Sequence, residues 1–240
     1  MRKLLILSFC TFLTAAGYSQ ASAIYQRGLA ADENLKAISN LSPYSPGGIG
    51  FDNRYEGVVG TPRMLDTLLP SFLQIKGQDF YIQLLADIDL VNNTLIYIHP
   101  KTKKLFSVPA EVVSELIIQK DGKELLFRTT ADKTFDKEIK NPKFYQVLND
   151  GPYQFIKLPV KTFVEAEYKG AYSADRRYDE YVTKNKYYLK SSDSVFCQIQ
   201  LTKKAILKIY PDKKTVINET AGDDSIADKE EMIISLLKKF

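Results

Sequence analysis

The sequence predicts an α+β fold, predominantly antiparallel β, with short helices at the C-terminus. Three observations predict it. From Phe80 to Leu90, the residues Phe80, Ile82, Leu84, Ala86, Ile88 and Leu90 fall on one parity and Tyr81, Gln83, Leu85, Asp87 and Asp89 on the other. A period of two sends alternate side chains to opposite faces of a strand. One apolar and one mostly polar face belong to an antiparallel sheet rather than to parallel strands covered on both sides. Turn chemistry then recurs between apolar runs, at Gly77-Gln78-Asp79, Asn92-Asn93, Asp121-Gly122 and Asn149-Asp150-Gly151-Pro152, which reads as successive hairpins. After Leu201 the spacing becomes helical. A sandwich and a partly open barrel fit this pattern equally.

Residues 22–50 form an N-terminal arm, with a weak helical pattern over Ser22–Asn40 and a loop over Ser42–Gly50 rich in Pro and Gly. The β region spans 51–201. Leu68–Ile75 is its first strand and the alternating run its second. Thr94–His99 and Lys104–Val108 form a hairpin across a proline and a charge run. Pro109 opens a single helical turn, and the strand that follows, to Gln119, pairs across Asp121-Gly122 with Glu124–Arg128. Lys143–Leu148 and Tyr153–Leu158 make a third hairpin, with Val160–Tyr168 as its extension. Lys169–Lys186, polar and without period, reads as a surface loop. Tyr187–Lys190 and Val195–Leu201 make a fourth hairpin. In 202–240, Thr202 caps a helix over Lys203–Tyr210, Asp212–Glu219 is a second short helix, and Ala221–Ser225 is a linker. Asp228 caps a last helix with Met232, Ile233, Leu236 and Leu237 on one stripe. Phe80, Ile82, Leu84, Ile88, Leu95 and Leu236 are expected in the core.

Residues 1–21 read as a secretory signal peptide. Arg2 and Lys3 precede an apolar run from Leu4 to Ala16, and small residues follow at Gly17, Ser19, Ala21 and Ala23. The run is too short for a membrane span, which needs about 20 residues, so no span is expected in the mature chain. The expected address is periplasmic or cell-surface. Cys10 follows Phe9 rather than a small residue, which disfavours lipid attachment. Removing Arg2 and Lys3 from 33 basic residues leaves 31 against 29 acidic ones. A surface so balanced excludes nucleic acid as the main partner. Cys197 is then the only thiol, so stability must come from the core rather than from disulfides.

The order of motifs resembles a known group. DNRYEGVVGTP at 52–62, DIDLVNNTLIYI at 87–98, VLNDGPYQFIKLPV at 147–160, KNKYYL at 184–189 and LTKKAILKIYPDKK at 201–214 are similar to the uncharacterised exported proteins of the Bacteroidota, over roughly residues 53–240. The resemblance implies an extracytoplasmic, β-rich protein with C-terminal helices. It brings no activity and no catalytic residue.

No catalytic constellation stands out. His99 is the only histidine, which excludes a His-rich zinc site and leaves a triad only this one candidate. At a strand end before Pro100 it reads as a turn residue. No metal and no cofactor is expected. Asp87 and Asp89 stand two apart on one strand face, within roughly 7 Å by strand rise, and form the alternative acid pair for a glycan-directed hydrolase. The same two residues also serve as the polar face that an alternating strand needs. A carrier of a small apolar ligand is a further alternative. The strongest binding signal is the cluster Tyr172, Arg176, Arg177, Tyr178 and Tyr181, since Tyr and Arg are enriched at binding hot spots. It favours a non-catalytic binding or structural module with a protein or glycan partner. Asp66-Thr67-Leu68, Asp193-Ser194-Val195 and Asp224-Ser225-Ile226 match a short O-glycosylation signal of such exported proteins.

Overall fold

The computed structural model describes residues 28–44, 58–166, 178–220 and 228–240. The signal segment, most of the Pro/Gly loop, the linker at Ala221–Ser225, and Tyr172, Arg176, Arg177 and Ser225 lie outside the described residues.

Ten antiparallel strands form one sheet: β1 (Leu69–Ile75), β2 (Ile82–Asp89), β3 (Thr94–Ile98), β4 (Leu105–Pro109), β5 (Val113–Lys120), β6 (Lys123–Thr129), β7 (Phe144–Asn149), β8 (Phe155–Val164), β9 (Glu180–Lys190) and β10 (Phe196–Ile199). Their spatial order is β10-β9-β8-β7-β6-β5-β1-β2-β3-β4, so the ladder has two edges and does not close on itself. Among the described residues the α-helices are α1 (Ala31–Ser39), α2 (Lys203–Ile209), α3 (Lys214–Thr220) and α4 (Lys229–Leu237). No helix among the described residues is long and apolar enough to cross a membrane.

The turns carry the expected chemistry. Asp121 and Gly122 both have positive φ, 50° and 74°, the signature of the type I′ turn whose twist suits a hairpin. Asn93 (φ 54°) supplies the single left-handed residue of the turn between β2 and β3. Thr202 accepts the Ala205 amide and Asp228 the Glu230 amide, which satisfies free donors at the starts of α2 and α4. The turn after Pro109 is a 3-10 helix, Ala110–Val112.

One core joins Ile82, Leu84, Ala86 and Ile88 of β2 to Leu73, Leu95, Leu116, Phe127 and Phe144, with Ala37, Ile38 and Leu41 from α1 and the turn after it. A second lies under the C-terminal helices, where Ile206, Ile217, Ile233, Leu236 and Leu237 pack on Phe155, Leu189 and Ile199. A third holds Tyr145, Val147, Ile156, Leu158, Tyr188 and Phe196, with Phe135 and Ile139 packed against it. Phe155 with Leu189 and Ile156 with Tyr188 are consecutive ladder pairs, so they face opposite ways. The sheet is therefore buried on both sides there.

Several expectations need correction. Phe80 is 38% exposed, because the strand begins at Ile82 and Phe80 still belongs to the turn. The N-terminal helix covers only Ala31–Ser39 within the expected Ser22–Asn40. Residues 180–186 are strand and not loop: β9 pairs with β8 at every step from Val164↔Glu180 to Phe155↔Leu189. Thr183 to Lys186 are all exposed. Backbone pairing holds this part of the ribbon, so no apolar rhythm marks it.

Candidate functional site

The expected wet face of β2 is divided. Gln83 and Leu85 are exposed, but Asp87 is fully buried and Asp89 is 6% exposed. The cover is residues 58–66. Val59 bridges Glu180 of β9, and Arg63 bridges Asp89 of β2. The Met64 amide donates to the Ile88 carbonyl (2.7 Å) and the Leu90 amide to that of Pro62 (3.0 Å). Between Arg63 and β1 the chain arches over Asp87. One side of β2 thus pairs with β1 at one end and with this strap at the other.

The two carboxylates are filled by backbone donors. Asp87 accepts the Leu65 amide at 3.1 and 3.2 Å on its two oxygens and the Ile88 amide at 2.7 Å. Asp89 accepts the amides of Val91 and Asn92 at 2.8 Å each and the Asn92 side-chain amide at 2.8 Å. Arg63 Nε stands 4.0 Å from Asp87. Burial pushes the Asp87 carboxyl up to about 6, against the lowering effect of those amides, Arg63 and Lys161. Lys161 donates to the Arg63 carbonyl at 2.5 Å. Burial pulls its ammonium down, against Asp66, Asp87 and Asp89. With their oxygens engaged in holding loops, these aspartates brace the strap and the β2–β3 turn. They do not stand open to water as a hydrolytic pair would. Among the described residues no cluster of three or more His, Cys, Asp or Glu is placed to hold a metal ion.

His99 is a turn brace. Its Nδ1 accepts the amides of Lys101 (3.2 Å) and Thr102 (3.3 Å), and its ring tilts against Phe106. A partly buried polar network lies elsewhere on the sheet. Arg128 donates through Nε to Glu115 (2.9 Å) and through both terminal nitrogens to Asp150 (3.1 and 2.8 Å), and Tyr81 donates to Glu115 (2.6 Å). Each charge there has a partner, so the network ties β2, β5, β6 and the β7–β8 turn together.

The far end of the β8–β9 ribbon is open to a partner. Tyr178 is 63% exposed and Phe163 42%. Phe163 is the ladder partner of Tyr181, and their rings are 5.3 Å apart. Val59, also exposed, joins them through the strap, where the Tyr181 amide donates to its carbonyl. Gly60 lies beside Tyr181, and its left-handed φ of 84° lets the strap turn there. Of the expected cluster, Tyr181 is brought against Phe163 and Val59, and Tyr178 stands exposed just before the same strand. The ladder partner of Tyr181 was not legible because Phe163 was read only as strand.

Neither protein-family models, nor curated proteins, nor solved structures yield a match to this chain.

Proposed function

We propose that the protein is an exported, non-catalytic binding or structural module that engages a protein or glycan partner through the aromatic end of the β8–β9 ribbon. The observation that carries this is exposed Phe163, Tyr178 and Val59, with the half-buried Tyr181 ring against Phe163. Large apolar side chains gathered at a surface mark interaction sites, and aromatics contribute most to hot spots. Export rests on the N-terminal basic and apolar segments and on the resemblance to exported Bacteroidota proteins. The sheet is best read as a partly open barrel. The bridges from Val59 to Glu180 and from Arg63 to Asp89 support that shape, since they span from β9 to β2 outside the main ladder.

The test is retention of the purified protein on immobilised envelope glycan and on envelope proteins, compared with the double variant Phe163→Ala/Tyr178→Ala. The wild type is expected to be held and the variant lost at equal thermal stability. Retention of both alike, or of neither, would refute the assignment.

A further inference from the structure

Apart from the aromatic end, the molecule carries a groove of about 530 Å³ between α1, the sheet and the β3–β4 turn. This volume lies within the range of small-ligand sites. Pro70, Phe72, Leu85, Ile98 and Pro100 supply its apolar lining. Pro70 pairs with Leu85, and Leu85 with Ile98, so the floor runs across β1, β2 and β3. Gln119 of β5 stands at one end and Lys103 of the β3–β4 turn at the other. Four strands and their spacing make the groove on the order of 14 Å long. Leu85, 45% exposed in the middle of a sheet, is the residue left without cover.

We propose that this groove binds a free single-chain amphiphile with an anionic head, of the fatty-acid carboxylate class. The head is read from charge. Lys103 is the only charged residue of the lining, and no carboxylate faces it there. Lys101 and Lys104 belong to the same turn, and among the described residues none of the three lysines has an acidic partner within salt-bridge distance. The turn holds its shape through the His99 ring nitrogen and through the left-handed Lys103 (φ 55°). An anion there meets ammonium groups at the water edge while its tail lies on Leu85, Pro70 and Phe72. The tail is read from length: C–C bonds of ~1.5 Å in an extended zigzag advance about 1.25 Å each, so about a dozen carbons span the groove. One apolar row across the strands suits one chain rather than the two of a bilayer lipid.

The test is calorimetric titration with dodecanoate below its micellar concentration, with dodecyltrimethylammonium as the cationic control and anionic phospholipid vesicles as a separate arm. One saturable dodecanoate site is expected. Lys103→Glu should weaken it about tenfold, the sum of a lost surface attraction and a gained repulsion. Leu85→Asp should abolish it, and both side chains are exposed to water, so melting should be unchanged. The inference is overturned if dodecanoate does not saturate, if the cationic control binds equally, if Lys103→Glu has no effect, or if only vesicles bind. The aromatic-end variant Phe163→Ala/Tyr178→Ala should bind dodecanoate normally, so the two proposals fail separately.

Discussion

Lys161 of β8 donates its ammonium to the carbonyl of Arg63, 98 residues earlier, at 2.5 Å. β8 and β2 are separated in the sheet by β7, β6, β5 and β1. In a flat sheet that places them roughly 24 Å apart. The sheet therefore curls until its β8–β9 ribbon meets the strap lying on β2. Lys161→Ala is expected to cost about 1–3 kcal/mol, the range for leaving a partly buried polar group unpaired. It should also raise amide exchange at Tyr181, Met64 and Leu90, whose hydrogen bonds hold the strap, without changing the β5–β6 hairpin. Equal exchange in both regions would remove Lys161 from this role.

Asp87 gives a pH dependence whose sign is fixed. Its folded-state carboxyl titrates near 6, above the ordinary 3.8, so between those values the folded chain holds a proton that the unfolded chain has lost. Its contribution therefore falls as pH rises through that window and is fully lost above about 6. Relative to Asp87→Asn, the wild type should lose on the order of 2–3 kcal/mol between pH 4 and pH 7.5. Urea unfolding of both proteins across that range reads the difference. A gap that is flat, or widens the other way, contradicts the burial of an ionisable Asp87.

One carboxylate ties the start of the C-terminal helix to the sheet. Glu230 of α4 accepts from Lys157 at 2.9 Å and from the Tyr187 hydroxyl at 2.5 Å. Burial and then this hydrogen bond push the Tyr187 phenol up to about 12. Glu230→Ala should destabilise by about 1–3 kcal/mol and make Lys229 and Lys238 early tryptic sites. Unchanged proteolysis would mean that Ile233, Leu236 and Leu237 hold α4 unaided.

Thr67 and Ser194 both lie exposed in turns. If the short glycosylation signals are used, protein from its natural source should be heavier than the bare mature chain, and Thr67→Ala with Ser194→Ala should remove mass in discrete steps. A mass equal to the unmodified chain would exclude modification.

Local chemistry was legible and long-range geometry was not. The parity of Ile82, Leu84, Ala86 and Ile88, the Asp121-Gly122 turn and the Thr202 and Asp228 caps act within a few residues. The same local rules misread Asp87 and Asp89 as wet. Their burial depends on a strap more than twenty residues earlier, and no period records it. The distal half of β9 was hidden for a related reason, because a ribbon with wet side chains needs only a backbone partner. Leu85 was the visible anomaly, an apolar residue on the polar parity, and it marks the groove. The Tyr178–Tyr181 pair was visible as composition, whereas Phe163 joins it only through the β8–β9 register.

The most direct measurement is hydrogen-exchange mapping of the protein bound to whatever the envelope fraction retains. Protection should concentrate at residues 162–164 and 178–181 and at Val59, with the C-terminal helices unchanged. Protection confined to the helices or to the β4 edge, with the aromatic end exchanging freely, would contradict binding there.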